Sequence, residues 1–152
     1  MKEGDSIAEV IKEITSEQIL LYAEASGDFN PIHINTKFAE DSQFGRNIAH
    51  GMMIAASISE SMSLTFGPSW HDSGKVKIRF RSPAYPGDTV TASGQIKKIL
   101  PLDEGTEIRC SVSVTNQAGE AIKIGRASGR ERVEISVGAV SVKKKKTHST
   151  YL

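Results

Sequence analysis

The chain has 152 residues, of which 24% are charged and 38% hydrophobic, and its formal net charge is +1. This balance is typical of one globular domain, and the length allows a real hydrophobic core. The single cysteine, Cys110, excludes an internal disulfide and any metal site that needs several cysteines. The sequence has no apolar run of transmembrane length, and its start does not resemble a signal peptide, so we expect no membrane partner and a cytoplasmic location.

The positive charge is concentrated in the last segment. From Ile124 onward there are seven Lys and Arg against two Glu, whereas the preceding residues hold 12 Lys and Arg against 16 Asp and Glu. The body is therefore mildly acidic. We expect no nucleic-acid partner, because a DNA-binding domain would carry a basic stripe on its folded surface.

The last segment itself, from about Ile124 to Leu152, has little hydrophobic periodicity and contains the lysine run 143–146. One interpretation is a disordered basic tail. However, "IGRAS-RERV-ISV-AVS" also resembles the translation of a common sequencing adapter, in which case the lysine run would be a translated poly-A stretch. We expect the natural sequence to stop near Lys123, so the predicted domain is 1–123, and residues 124–152 are predicted to be non-native or disordered.

The first elements are a strand and a helix. "SIAEVIKEI" has the apolar spacing of a short strand, and "TSEQILLYAEASG" is typical of a helix. Thr15 and Gln18 have the spacing of a capping box, and Gly27 is the expected helix end. The next residues are irregular at Asn30-Pro31, and a short helix is expected at 37–41.

The segment "HGMMIAASISESMSLTFG", residues 50–67, predicts a long helix. Apolar residues cover most of its circumference, and Glu60 is its one charged residue. A helix that is apolar nearly all round is expected to be buried. Small residues such as Ala55 and Ala56 would let a sheet approach it closely.

The remaining segments predict strands. "KVKIRFR" (75–81) alternates apolar and basic residues, which indicates a half-buried strand, and "SPAYPGD" is a turn rich in breakers. "TVTASGQIKKIL" and "TEIRCSVSVTNQAGE" follow as longer strands, and "EAIKI" begins another. Cys110 fits the apolar alternation and is expected to be an inert core thiol. This order predicts an α+β fold in which one antiparallel sheet wraps around a central helix.

Asp28 and His33 form a candidate acid–base pair. Imidazole titrates near neutrality, so it can take or give a proton at working pH. A neighbouring carboxylate can share a bound water and keep the lone pair of that water directed at a substrate. Pro31 fixes one φ and favours an extended Asn30, so the bend would bring the two side chains together. Asn30 is expected to support the loop by bonding its own backbone.

Gly51 supplies a complementary feature at the start of the long helix. The first N–H groups of a helix lack partners within the helix, and the helix dipole favours negative charge there. Such a site would stabilise an oxyanion on a thioester carbonyl. Together the two parts suit the addition of water across a double bond conjugated to that carbonyl. His50 is expected to be structural, with its ring bonding backbone near the helix start.

Three motifs, "DFNPIH", "FGRNIAHGM" and "FRSPAYPGD", together resemble the MaoC-like dehydratase family, close to the (R)-specific enoyl-CoA hydratases. The resemblance covers about Ile7 to Lys123. It implies a hot-dog fold, a homodimer, Asp28 and His33 as the catalytic pair, and the Gly51 N–H as oxyanion donor. It also implies that Ser59 supports the aspartate, and that no metal or cofactor is needed, because the CoA or acyl-carrier thioester belongs to the substrate.

The expected activity is the reversible hydration of trans-2-enoyl-CoA to (R)-3-hydroxyacyl-CoA. Alternatives are a dehydratase of acyl-carrier-protein thioesters, a non-catalytic acyl-thioester-binding subunit, and a thioesterase, because a fold does not fix a function. The basic side chains of 75–81 are most simply a solvated strand face. A sharper hypothesis is that Lys77 and Arg79 bind the CoA phosphates or an acidic carrier protein.

Overall fold

An antiparallel sheet packs against one long helix in the computed structural model, which describes residues 1–103, 105–122 and 142–143. The elements in chain order are β1 (Val10–Glu13), α1 (Ser16–Ser26), α2 (Pro31–Ile34), α3 (Thr36–Glu40), α4 (Gly51–Phe66), α5 (Pro68–Ser73), β2 (Thr89–Pro101), β3 (Thr106–Thr115) and β4 (Val142–Lys143). The sheet order is β1-β2-β3-β4, and every neighbouring pair is antiparallel. The predicted domain end near Lys123, and the predicted tail apart from β4, lie outside the described residues.

Helix α1 begins and ends where local sequence signals place it. The Thr15 side chain accepts a hydrogen bond from the Gln18 N–H at 3.1 Å, and the Gln18 side chain accepts one from the Thr15 N–H at 3.2 Å. This capping box satisfies two N–H groups that the helix itself leaves unpaired. Gly27 ends the helix in the left-handed conformation with φ 75°. The predicted capping box and stop are therefore both confirmed.

Strands β2 and β3 form the longest ladder of the sheet. Their register runs from Thr91 opposite Thr115 to Pro101 opposite Thr106, with a bulge between Ile96 and Lys98. Alternate side chains on both strands point into the core, as expected for a sheet with one buried face. These core residues include Val90, Ala92, Ile96, Cys110, Val112 and Val114.

The core position predicted for Cys110 is confirmed. The side chain is 2% exposed, and burial raises the pKa of its thiol to about 11. Since the thiolate is the reactive form of cysteine, this thiol is inert at neutral pH.

Strand β1 is shorter than predicted. The hydrogen-bonded strand covers Val10–Glu13, while the residues before it follow β2 through separate contacts. The Gly4 N–H donates to the Ile96 carbonyl at 2.8 Å, and Ser6 forms an isolated bridge with Gln95. The N-terminal segment thus lies against β2 along most of that strand.

Helix α4 lies on the inner face of the sheet, but it is not buried all round as predicted. Ile54, Ile58 and Met62 are at most 1% exposed and belong to the main core. On other faces of the helix, Met52 is 62% exposed and Leu64 is 65% exposed. The sequence shows that apolar residues surround the helix. It does not show which faces of the helix other parts of the chain will cover.

The predicted strand at 75–81 is wrong for the part of the chain that the structure describes. The segment carries a single bridge, at Lys77, rather than a ladder. The segment is held at its last residue, where the Arg81 N–H donates to the Ile122 carbonyl at 2.6 Å. An alternating pattern indicates a half-buried extended segment, whereas a strand also needs a hydrogen-bonded neighbour.

The described helices include none that combines the length and apolar character needed to cross a membrane.

Candidate active site

The loop between α1 and α2 holds Asp28 in a defined turn. The Asp28 N–H donates to Ser26 Oγ at 3.2 Å, and Asp28 Oδ1 accepts from the Asn30 N–H at 3.2 Å. Asn30 Oδ1 in turn accepts from the Ile32 N–H at 3.1 Å and caps α2, with Pro31 at the first helical position. Asn30 therefore supports the loop in the way the sequence predicts, by bonding nearby backbone.

His33 lies in the last turn of α2 and is half-buried. Its Nδ1 is 2.8 Å from the carbonyl oxygen of Ile48, and since a carbonyl can only accept, Nδ1 carries the proton. Burial lowers the pKa of His33 below its ordinary value of 6.5. The Ile48 bond and the Asp28 charge raise that pKa, and His50 lowers it further, so burial sets the direction.

His50 is the buried member of the group. It is 1% exposed, and its Nε2 donates to the main-chain carbonyl of Asp28 at 2.8 Å. Its ring stacks on the ring of His33, with centroids 3.8 Å apart and planes 29° apart. The ring of Tyr22, on α1, packs against it at 4.8 Å. The sequence predicted that His50 bonds backbone near the helix start, whereas the backbone it bonds is that of Asp28.

One ligand-type atom from each of Asp28, His33 and His50 lies within 4.8 Å of the other two, a spacing that a metal ion could span. The ring geometry fits such an ion poorly. Imidazole lone pairs lie in the ring plane, so two stacked rings direct them side by side rather than toward one point about 2 Å away. A water molecule shared by Asp28 and His33 fits this geometry better, because it needs only one hydrogen bond to each side chain.

Gly51 is the first residue of α4 and directly follows His50. The His50 side chain makes no capping hydrogen bond to this helix, although it occupies the N-cap position. The N–H groups of the first turn therefore remain available, and the dipole of a 16-residue helix adds partial positive charge beside the stacked histidines. This is the environment that a developing negative charge requires.

The segment before α4 is fixed in place from two sides. Asn47 Nδ2 donates to the Ile32 carbonyl at 3.1 Å, and the Ile48 N–H donates to the same oxygen at 3.4 Å. On the other side, the Ala49 N–H donates to the Ala84 carbonyl at 2.8 Å. These contacts bring the helix start to the loop that carries Asp28.

Ser59 is not part of this group within the chain. It lies eight residues after Gly51, which is ~12 Å further along the axis at 1.5 Å per residue. Its Oγ accepts a hydrogen bond from Trp70 Nε1 at 3.0 Å, and the described residues contain no hydrogen bond between Ser59 and Asp28. The supporting role that the resemblance implies for Ser59 therefore has no counterpart in this single chain.

Lys77 and Arg79 also lie outside the group around Asp28. The side chain of Lys77 is exposed, whereas Arg79 is half-buried. Both belong to the segment between α5 and β2. That segment contacts the residues before α4 through Ala84, whose carbonyl accepts a hydrogen bond from the Ala49 N–H. A groove of about 400 Å³ elsewhere on the chain, lined by residues including Ser6, Gly94 and Ser111, contains none of the predicted site residues.

Two contributors to the site were missed from the sequence. The Ile48 carbonyl fixes the tautomer of His33, and Tyr22 packs against His50. Neither has a local sequence signal, because a main-chain acceptor can belong to any residue and Tyr22 reads as part of the apolar face of α1.

An antiparallel sheet on a long central helix is the hot-dog fold. Here an acid and two histidines lie together beside the start of that helix. A match to the family described as MaoC like domain covers residues 3–118, and the chain belongs to this family. It is 34% identical over 119 residues to a 3-hydroxybutyryl-CoA dehydratase of Methylorubrum extorquens, covering 73% of each chain. It is 32% identical over 128 residues to an (R)-specific enoyl-CoA hydratase of Rhodospirillum rubrum, covering 84% of this chain and 86% of that one.

Among solved structures, the chain resembles the unliganded R-hydratase PhaJ1 from Pseudomonas aeruginosa. The TM-score is 0.73 at 25% sequence identity, and the match covers 96% of this chain and 84% of that one. The predicted α+β architecture and the predicted family are therefore both confirmed.

Proposed function

We propose that this protein is a hydro-lyase that reversibly hydrates trans-2-enoyl-CoA to (R)-3-hydroxyacyl-CoA. The observation that carries the proposal is the pairing of Asp28 and His33 at the start of α4, with His33 Nδ1 bonded to the Ile48 carbonyl. This bond leaves Nε2 as the nitrogen that can exchange a proton with substrate. The hydratase and dehydratase names of the relatives support the same reaction.

In the proposed reaction, Asp28 and His33 hold one water molecule between them. Nε2 of neutral His33 accepts a proton from that water while the oxygen forms a bond to C3 of the enoyl chain. Asp28 accepts a hydrogen bond from the other hydrogen and fixes the direction of attack. The imidazolium then returns a proton to C2, so that one water is added and both residues regain their starting states.

The negative charge that moves to the thioester oxygen during attack requires a donor. We assign this role to the Gly51 N–H, because it begins α4 and its neighbour His50 leaves the first turn uncapped. A helix terminus is held in place before the reaction begins, so it need not reorganise as charge develops. The lack of a Cβ at Gly51 lets the thioester approach the backbone.

Three residues have supporting roles in this proposal. Asn30 shapes the turn that presents Asp28, and His50 holds the main chain of the same loop. Ser59 is retained as a candidate that would act on the site of a second copy, because it lies ~12 Å along α4 from Gly51 and bonds Trp70 in its own chain.

The CoA or acyl-carrier group belongs to the substrate, and the proposed chemistry requires no metal or cofactor. Lys77 and Arg79 are proposed to bind phosphate groups of the carrier, since Lys77 is exposed and both side chains are basic. The proposal also includes a cytoplasmic location, which cell fractionation would test.

We further propose that the active form is a homodimer. Met52 and Leu64 on α4 are more than 60% exposed, and Phe29, next to Asp28, is 53% exposed. Large apolar side chains in such positions favour a protein partner or an acyl chain as cover. A second copy would cover the open part of α4, and the acyl chain would lie against the residues near Asp28.

The test is a direct assay with crotonyl-CoA, following the loss of the enoyl absorbance. Asp28→Asn and His33→Gln should each lower kcat by about 10²–10⁴-fold, the range for loss of a positioned acid or base. His71→Gln is a matched control, because His71 lies on α5 and bonds Ser63 rather than the site. Activity that survives both site substitutions would reject the assignment.

The same assay separates the alternative functions. Enoyl and 3-hydroxyacyl thioesters of acyl carrier protein, compared with the CoA esters, identify the preferred carrier. Release of free thiol would identify a thioesterase. Binding of crotonyl-CoA without turnover would identify a non-catalytic subunit.

A further inference from the structure

We propose that His50 is a positioning residue that holds Asp28 and His33 in their working arrangement at the same time. This inference rests on the proposed function, in which Asp28 and His33 share a water molecule. His50 itself touches neither that water nor the substrate in this proposal. It acts through two separate contacts, one to the backbone of the acid and one to the ring of the base.

The first contact fixes the loop that carries Asp28. His50 Nε2 donates to the main-chain carbonyl of Asp28 at 2.8 Å, across 22 residues of sequence. The Asp28 side chain is exposed, and its turn is otherwise held by contacts within the loop, from Ser26 and Asn30. The His50 bond is therefore the one among these that ties the loop to the start of α4, where Gly51 lies.

The second contact fixes the plane of the His33 ring. The two imidazoles stack with centroids 3.8 Å apart, while the Ile48 carbonyl holds one edge of His33 at Nδ1. An edge bond alone leaves a ring free to tilt about that bond, and a stacked neighbour limits the tilt. Together they direct Nε2 along one line, which is what proton transfer to a bound water requires.

The surroundings of His50 show that its imidazole has a specific use. Its Nδ1 is buried without a hydrogen-bond partner, and the residue is 1% exposed. A buried polar atom without a partner destabilises the fold, and a phenyl ring of similar shape would avoid that cost. What the imidazole adds over a phenyl ring is the Nε2–H that holds the Asp28 carbonyl.

The charged environment of His33 gives this arrangement a measurable signature. Among the described residues, Asp28 from the α1–α2 loop and His50 from the start of α4 are the titratable groups that act on His33, and Tyr22 from α1 faces His50. Burial is the largest cause of the lowered pKa of His33, and electrostatic repulsion from His50 acts in the same direction. Replacing His50 with an uncharged side chain should therefore raise the pKa of His33.

Two substitutions separate the two contacts. His50→Phe keeps a ring to stack on His33 but removes the donor to Asp28. His50→Gln places an amide N–H near the position of Nε2 but removes the ring. His71→Gln is the control for loss of a histidine outside the site. For each variant, kcat, KM and the pH profile of kcat/KM with crotonyl-CoA are measured, along with thermal stability.

For His50→Phe we expect kcat on the pH plateau to fall by on the order of 10-fold or more, with little change in KM. A misplacement of about 1 Å in a catalytic group can cost 10²-fold. For His50→Gln we expect a smaller loss of kcat, and in both variants an acid limb that moves to higher pH. A role in stability alone would lower the melting temperature of both variants and leave the plateau kcat unchanged. Folded variants with wild-type kcat and an unmoved limb would overturn the proposal.

Nitrogen NMR of the wild-type imidazoles provides a test that does not depend on variants folding. We expect the proton on Nε2 in His50 and on Nδ1 in His33, and a His50 that carries its proton on Nδ1 would overturn the proposal. Failure of the proposed function would appear separately, as a wild type without hydratase activity. The tautomers and the His33 titration would still decide whether His50 positions its two neighbours.

Discussion

The imidazole Nδ1 of His33 donates a hydrogen bond to the carbonyl oxygen of Ile48 at 2.8 Å. This contact between a helix of four residues and the segment just before α4 selects one tautomer of the ring. Nε2 therefore carries the lone pair whenever the ring is neutral. Because Ile48 lies just before α4, the orientation of the His33 ring also depends on the position of the start of that helix.

The lowered pKa of His33 predicts the acid side of the activity profile. A neutral Nε2 is needed to accept a proton from water, and burial keeps the pKa below the ordinary value of 6.5. We expect kcat/KM to decline on the acid side with a midpoint below pH 6.5. The pH profile of crotonyl-CoA hydration measures this, and a midpoint at or above 6.5 would contradict it.

The same shift predicts a change in stability. Between the folded pKa and 6.5 the unfolded chain binds more protons at His33, so the contribution of this residue to stability falls as the pH drops through that window. Urea unfolding across this range, compared with His33→Gln, isolates the effect. If the free energy of unfolding changes equally with pH in wild type and His33→Gln, His33 is not the source of the pH dependence.

Gly51→Pro should remove the proposed oxyanion donor with little damage to α4. Proline is well tolerated at the first position of a helix, and the preceding residue, His50, already has the extended ψ of 136° that proline favours. We expect kcat to fall by about 10²–10³-fold.

Gly51→Ala is the matched control because it keeps the N–H. Crowding by its Cβ should appear in KM rather than in kcat. A Gly51→Pro variant with wild-type kcat would remove Gly51 from the mechanism.

Reversal of charge at Lys77 and Arg79 should raise the KM for crotonyl-CoA by about tenfold, with little change in kcat. The effect should shrink as salt is added, because salt screens charges at a protein surface. Lys97→Glu is the control, since Lys97 is an exposed lysine on β2 that contacts Gln95. An unchanged KM would leave these residues as an ordinary solvated surface.

Leu64→Glu should weaken the proposed dimer. Leu64 is 65% exposed on α4, and burying an unpaired carboxylate against a second copy would lower the dimer affinity by at least about 10²-fold. Light scattering over a concentration series measures the mass. Leu102→Glu is the comparison, because Leu102 is also exposed but lies between β2 and β3. A wild-type monomer, or a variant dimer of full strength, would contradict the expectation.

The elements set by local contacts were predictable from the sequence. The capping box of Thr15 and Gln18 and the left-handed Gly27 depend on residues within one or two turns of each other. The alternation that places Cys110 in the core is equally local. The Asp28–His33 pairing is also short-range, and Asn30 and Pro31 shape the bend between them.

The contacts that cross the chain were not predictable. Nothing near His50 indicates that its ring bonds the Asp28 carbonyl, and nothing near Ser59 indicates that its hydroxyl bonds Trp70. The exposure of Met52 and Leu64 depends on which elements pack around α4, and the periodicity of the sequence does not predict that packing. The same reason explains the wrong strand at 75–81: the sequence shows the alternation of apolar and basic residues, but not whether a neighbouring strand pairs with them.

The bond from His50 to Asp28 spans 22 residues and the bond from His33 to Ile48 spans 15, so the site is closed by loops rather than by a continuous element. Helices α1 and α4 depend mainly on local interactions, but the segment between them, which contains α2 and α3, must fold back before His33 and His50 meet. During refolding from urea, the helical circular dichroism signal should therefore return before the enzymatic activity. The delay between the two signals would measure how long the chain takes to bring two folded parts together.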